Sequence, residues 1–422
     1  MIHSACITGL GFITSIGNDA ASVAANLRTG SSGITPHVFS ENPALPVKVI
    51  APIRGFSVNT PSYRDWTWPE GPDLPRETVR SMAPHGVYAF HAFEQALADA
   101  GLLPSEIKGP ETGLFCASAG SSLLLHHHLS QMHATHFERG NPLGVVSSIA
   151  GTLNFNLAAH YGITGAVTGF ASACTSSTHA LGYALDEIRL GRQERMIVVG
   201  AEDLNAGTVM PFSSMRALSI NPDPVTASRP FDTGRDGFVA TGGATVLILE
   251  SAGLARRRSA RVYAELVGWG QAADGYNVSA SHPEGAGLRE AMLRALRDAR
   301  VAPAQIDYVN AHATSTPVGD RAEALALRSV FTDSGARPVV SSTKGITGHG
   351  LSLAGAMETA FCALGFRAGF IPGNPTLVTP DDACAGLELP RASIHRAPGY
   401  VLKNSSGFGG SNVSLILRSG SN

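Results

Sequence analysis

Lysine is scarce in this chain, paired cysteines are missing, and no apolar run is long enough to span a bilayer. Each shortage excludes a class of function. Lysine occurs only at Lys48, Lys108, Lys344 and Lys403, and the formal net charge is -2 over 422 residues. The longest basic run, Arg256-Arg257-Arg258, is brief and reads as a solvated loop or helix end. Without a basic stripe to neutralise phosphates, nucleic acid is not an expected partner. The 5 cysteines show no paired spacing, which fits reduced thiols in a cytoplasmic protein better than a disulfide frame. Cys6, Cys116 and Cys362 lie in apolar runs and read as small core residues. Met1 to Gly17 has no cationic lead and is broken by Gly9, Gly11 and Gly17, so no signal peptide is expected there. No membrane association is expected either.

What is abundant is glycine, at 47 residues, and hydrophobic content, at 44 % against 15 % charged. Such a chain is long enough for two core-forming halves rich in tight turns. An internal repeat supports two halves. The segment Ala96 to Ile107 matches Ala295 to Ile306 at Ala96/Ala295, Leu97/Leu296, Asp99/Asp298, Ala100/Ala299, Pro104/Pro303 and Ile107/Ile306. Each copy ends a helix-like stretch, carrying Val87, Phe90 and Leu97 or Leu288, Met292 and Leu296, and passes through a proline turn toward a strand-like run. Short apolar runs such as Ile197 to Val199 and Ala244 to Leu249 alternate with helices, which indicates α/β layers. The boundary is placed near Gly253, giving halves 1–253 and 254–422.

Cys174 stands among small residues, in Ala171-Ser172-Ala173-Cys174-Thr175-Ser176-Ser177, after a strand-like stretch. Leu181, Ala184, Leu185 and Ile188 then recur with helical spacing, so Cys174 falls at a helix N-terminus. There the helix dipole favours thiolate without an adjacent base. The same pattern alone also suits a structural cysteine.

Two further segments run from strand to turn and carry a histidine: Asn310-Ala311-His312-Ala313-Thr314-Ser315-Thr316 and Thr343-Lys344-Gly345-Ile346-Thr347-Gly348-His349. Either histidine alone suits a core position; together they look like a site. Two fixed imidazole N–H donors can stabilise an enolate oxygen formed on loss of a carboxylate, and removing one such donor costs roughly 100-fold or more. Both rings must then be neutral, with partners for their second nitrogens. Lys344, Asp320, Glu323 and Glu358 can form the buried charge network that holds them. Near the end, glycines flank Phe408 in Gly407-Phe408-Gly409-Gly410, which leaves its N–H open as an oxyanion donor paired with that of Cys174. An ordinary glycine hairpin gives the same pattern.

Taken together these motifs resemble the β-ketoacyl-[acyl-carrier-protein] synthase family, in its elongating branch with a Cys-His-His site. The resemblance runs from Ile7-Thr8-Gly9-Leu10-Gly11 to Leu417 and includes Met215 to Ser219 and Arg229-Pro230-Phe231-Asp232 with Arg235-Asp236-Gly237-Phe238. It implies a thiolase-like fold, two similar halves in a five-layered α-β-α-β-α sandwich, working as a dimer. It implies an acyltransferase that condenses a Cys174-bound acyl group with malonyl carried on acyl carrier protein, with loss of carbon dioxide. His312 and His349 would serve decarboxylation, Lys344 would join the charge network, and Thr314 and Thr316 would touch phosphopantetheine, which arrives on the carrier. Phe408 would sit on a loop that gates acyl entry. No bound cofactor and no metal are implied. Ala313, Ser406 and Thr241-Gly242-Gly243 depart from the family pattern, the first two at positions that shape the pocket.

The alternative is a ketosynthase subunit of a specialised polyketide or polyene pathway, paired with a homologous non-catalytic chain-length partner. A bare scaffold subunit would lack the cysteine. A degradative thiolase would need a second cysteine in a glycine-rich turn, whereas Cys384 lies in Asp381-Asp382-Ala383-Cys384-Ala385. A synthase acting on coenzyme A starters would carry Asn in place of His349. Gly9-Leu10-Gly11 lacks the third glycine of a dinucleotide fingerprint. The histidines at 126, 127, 128, 133 and 136 cannot all share one helix face and are read as polar cover rather than a metal site.

Overall fold

Strands apolar on both faces must be covered on both faces, and that requirement sets the architecture. The computed structural model describes residues 4–39 and 43–420, so Met1 to His3 of the amino-terminal stretch lie outside the described residues. Ten strands form one mixed sheet: β1 (Ala5–Ile13), β2 (Thr112–Ala117), β3 (Val167–Phe170), β4 (Arg195–Glu202), β5 (Gly243–Ser251), β6 (Ala264–Ala273), β7 (Tyr308–Asn310), β8 (Val339–Ser341), β9 (Tyr400–Gly407) and β10 (Ser411–Ser419). Their spatial order is β8-β7-β9-β10-β6-β1-β5-β4-β2-β3. The order 3-2-4-5-1 of the first five strands therefore recurs in the last five. The parallel and antiparallel pairings recur with it. A short antiparallel contact, Ala5 to Ile7 against Leu266 to Ala264, joins the two.

Side-chain alternation sorts the core into layers. On β5, Val246 and Ile248 pack outward against α1 (Pro84–Ala100), while Leu247 and Leu249 face the middle. The middle layer holds α2 (Ser176–Arg189) and α5 (Ala354–Ala368), packed on each other and on both halves of the sheet. Beyond β10, Ile416 packs outward with Met292 of α3 (Ala286–Ala299), and α4 (Pro317–Leu327) joins that outer layer. The result is a five-layered α-β-α-β-α stack.

The sequence repeat has the same physical job in both copies. Asp99 accepts the Leu10 N–H of β1 at 2.9 Å, and Asp298 accepts the Trp269 N–H of β6 at 2.9 Å. Gly101 and Arg300 end α1 and α3 in the left-handed region, and a proline then opens a short 3₁₀ turn. Gly11 explains the incomplete dinucleotide motif. A Cβ there would lie 1.8 Å from the Ala92 carbonyl oxygen, and at Gly270 of β6 it would lie 2.4 Å from that of Ala291. Both glycines let a helix lie directly on a strand.

Arg256 and Arg257 form the exposed helix end expected of the triple-arginine run, and its last residue departs from that reading. Arg258 of the triple-arginine run turns inward, its Nη2 2.6 Å from the buried Glu250, which also meets Arg195 at 2.9 Å. Gly253 sits in the short helix Ala252–Arg257 that links β5 to the second group of strands. No helix among the described residues is long and apolar enough to cross a membrane.

Candidate active site

The middle layer brings two strand ends face to face. β3 runs into the turn before α2, where Thr175 Oγ1 donates to the Ser172 carbonyl at 2.6 Å and Ser176 Oγ to that of Ala173 at 2.6 Å. Ala173 is held at φ 50, a left-handed conformation that a residue with a Cβ seldom adopts, and Cys174 follows it two residues before α2 begins. Strain of this kind persists only where the surroundings enforce it. From the other half, Gly348 at φ 72 swings the chain after β8 so that His349 is clamped by backbone bonds to Val239 at 2.7 Å and Thr241 at 3.1 Å.

His349 Nε2 lies 3.0 Å from Cys174 Sγ, and the His312 ring stands edge-on to that of His349 with centroids 5.4 Å apart. One ligand-type atom from each of Cys174, His312 and His349 falls within 4.8 Å of the others. These groups open into a cavity of about 440 Å³, also lined by Thr314, Thr316, Glu323 and Phe408. The Thr314 and Thr316 hydroxyls are 3.1 Å apart. The Gly407 turn presses on the cysteine, since a Cβ at Gly407 would lie 3.1 Å from the Cys174 nitrogen. An aromatic file runs from Phe408 past Phe212 and Phe238 to His349, with centroid spacings of 6.1, 5.4 and 5.3 Å.

The electrostatics differ from the sequence expectation at the sulfur. Cys174 opens only toward the cavity, and desolvation on its other sides pushes the thiol up to about 12, with Lys344 pulling the opposite way. At the helix start burial therefore works against the thiolate that the helix dipole favours. The imidazoles behave as expected. Burial, reinforced by Lys344, holds both His312 and His349 well below the ordinary histidine range, so both are neutral near pH 7. Their Nδ1 atoms, however, find no hydrogen-bond partner among the described residues. Backbone anchoring, rather than a partner on the ring, fixes them.

The charge network divides in two. Lys344 and Glu358 pair fully buried behind the histidines. Glu323 holds His312 through the main chain, accepting the N–H of His312 at 2.9 Å and of Ala313 at 2.6 Å, plus Asn404 Nδ2 at 3.0 Å. Asp320 does not join the lysine. It accepts the N–H groups of Phe231 at 2.9 Å, Ser315 at 3.1 Å and Thr316 at 3.2 Å, and lies 3.8 Å from Arg235. One helical turn from Glu323, it faces the neighbouring loop and organises the threonine turn. Burial pushes its carboxyl up to about 7.

Lys403 and Asn404 were not singled out from sequence. The signal was available: the scarcity of lysine makes Lys403 as conspicuous as Lys344. It is fully buried, and its Nζ lies 3.1 Å from Glu358 Oε2. Of the histidine-rich stretch, His126 to His133 lie on the helix Ser122–Ala134, where His128 contacts Ser147 at 3.3 Å, and the group of possible metal ligands that forms among the described residues is instead Cys174, His312 and His349.

Comparison with known proteins agrees with this arrangement. Residues 4–255 match the model for the beta-ketoacyl synthase N-terminal domain and 263–377 that for its C-terminal domain. The 3-oxoacyl-[acyl-carrier-protein] synthase 1 of Escherichia coli (strain K12) is 36% identical over 421 residues, 98% of each chain. A crystal structure of a beta-ketoacyl synthase from Burkholderia phymatum STM815 superposes with a TM-score of 0.90 at 32% identity, covering 99% of this chain and 100% of that one. The ishigamide ketosynthase/chain length factor superposes at 0.88 with 28% identity, covering 100% of both chains. With a cysteine beside the strained Ala173 facing two neutral histidines in a duplicated five-layer fold, the chain belongs to the β-ketoacyl synthase family.

Proposed function

We propose that this protein is a 3-oxoacyl-[acyl-carrier-protein] synthase whose condensation uses Cys174 as nucleophile and His312 and His349 as donors to the malonyl unit. The observation that carries this reading is the 3.0 Å contact between Cys174 Sγ and His349 Nε2, with His312 in the same cluster. In the first half-reaction the Cys174 sulfur attacks the acyl thioester and gives up its proton. The tetrahedral oxygen takes the N–H groups of Cys174 and Phe408, and the carrier thiolate leaves, collecting the proton. In the second, the malonyl carboxylate departs as carbon dioxide and its bonding electrons form an enolate. The thioester oxygen of that enolate accepts N–H donors from His312 and His349. Its carbon attacks the Cys174 thioester, the 3-oxoacyl product leaves on the carrier, and Cys174 departs as a thiolate that takes a proton from water to restore the thiol. Lys344 and Glu358 support the imidazoles, Glu323 and Asp320 hold their loops, and Thr314 and Thr316 take the amides of the phosphopantetheine arm. The reading needs no resident cofactor or metal. Residues 1–253 then supply the nucleophile and 254–422 the donors.

The partner reading is a carrier protein at the cavity mouth and a second copy of the chain at the edge of the sheet. β3 is that edge; Val167 is 37% exposed, and Leu125, Val145 and Phe155 add exposed apolar surface on preceding helices. A homologous chain-length subunit in place of the second copy is the alternative, favoured by the likeness to the ishigamide ketosynthase/chain length factor. The free thiols suit a reducing cytoplasm. The test is to purify the chain alone and add acyl-carrier and malonyl-carrier thioesters, following protein mass and 3-oxoacyl product. Condensation by the lone chain supports the first reading; condensation only on co-expression with a homologue supports the second; no acylation in either case overturns both.

A further inference from the structure

Glu358 is shared by two lysines. Lys344 reaches it from the loop after β8 and Lys403 from β9, where Lys403 is the register partner of Asn310, two residues before His312. All three side chains are fully buried, so two ammonium groups meet one carboxylate away from water. Lys403 Nζ also contacts Ser405 Oγ, and Ser405 meets Thr178 of α2 at 2.7 Å. The lysine thus connects the histidine loops to the helix that starts beside Cys174. A lone buried pair would be complete with Lys344; the extra cation needs a reason, because each buried ion costs several kcal/mol of desolvation.

We propose that Lys403 is a positioning residue for the decarboxylation half-reaction, a second ammonium that, with Lys344, keeps His312 and His349 as uncharged N–H donors. This rests on the condensing role assigned above. The charged groups that act on the rings are Lys344 after β8 and Lys403 on β9; Cys174 before α2 meets His349 Nε2, Glu323 on α4 accepts the His312 main-chain N–H, and Glu358 on α5 and Glu202 on β4 act on Cys174. Both lysines act on both rings in the same direction, against protonation, after burial itself. Glu358 keeps the two cations together without cancelling them.

The test separates the half-reactions in Lys403→Met, which keeps length and removes charge. Acylation of Cys174 is followed by intact mass, and malonyl decarboxylation by release of carbon dioxide across pH 5 to 9. The expected result is decarboxylation slowed more than acylation, with the loss several-fold larger on the acid side, and recovery of the acid side in Lys403→Arg. Equal slowing of both steps with an unchanged pH profile overturns the proposal and leaves Lys403 a structural residue. If Lys403→Met does not fold, the native enzyme decides: decarboxylation that persists well below the ordinary imidazole range supports the proposal, and an acid limb near about 6.5 overturns it. A native protein that never acylates Cys174 signals failure of the condensing assignment instead.

Discussion

The two halves of the sheet share strand order, pairing directions and helix-anchoring aspartates, yet their chemistry diverges at the same two places. After the third strand, the first half offers a small-residue turn with Cys174, while the second offers Lys344 and His349. After the second strand, the first half carries Ser118 to Ser121, tied to the buried pair His85 and Asp203 at 2.7 Å, while the second carries His312. Duplication therefore supplied a scaffold with two equivalent strand ends meeting in the middle layer. On the proposed reading one end serves as nucleophile and the other as a pair of donors with a charge network behind it.

Predictions can break this contrast, and the largest concerns the first half. Cys174→Ala should abolish the acyl-enzyme mass and lower condensation by roughly 10,000-fold or more, while leaving malonyl decarboxylation measurable by carbon dioxide release. Substituting the second half should give the reverse. His312→Ala or His349→Ala should retain an acylated Cys174 and lower decarboxylation about 100- to 1,000-fold, the cost of a lost donor to a developing oxyanion. Glu358→Gln probes the support behind the donors. It leaves two buried ammonium groups without their counter-charge, and thermal or urea unfolding should show a loss of about 3 to 5 kcal/mol.

The scaffold itself should respond symmetrically. Gly11→Ala and Gly270→Ala each drive a methyl into a helix backbone, and each should destabilise by about 1 to 3 kcal/mol, leaving the ratio of the two half-reactions unchanged. A large asymmetry would mean that the halves do not share a packing logic. The smallest effect is a slope. Because the Cys174 thiol is pushed up to about 12, its alkylation rate in the free enzyme should keep rising through pH 9, whereas a plateau near neutrality would mean a standing thiolate.

Periodicity made the strands and helices legible, because apolar positions on β4 and β5 alternate with outer and middle layers as a strand must. The repeat at Asp99 and Asp298 was legible too, since a carboxylate receiving a strand N–H leaves a fixed offset from the helix end. Cys174, both histidines and the Gly-Phe-Gly turn stand out through small residues at strand ends, and the fold brings them to one cavity. Partnerships were not legible. Asp320 and Glu323 lie three residues apart on α4 yet serve different loops, and only the path of the chain around Phe231 decides which. Lys403 is remote in sequence from Glu358, and parallel pairing of β7 with β9 brings it beside the histidine loop. The thiol expectation weighs the helix start alone, and burial around Cys174 acts against it.

The most direct measurement is the intact mass of native protein and of the His312→Ala, His349→Ala double variant, first with acyl-carrier thioester and then with malonyl carrier. The account predicts that both proteins gain the acyl mass on Cys174 and that only the native protein loses it again as 3-oxoacyl product. A double variant that turns over its acyl group like the native protein would contradict the division of labour between the halves.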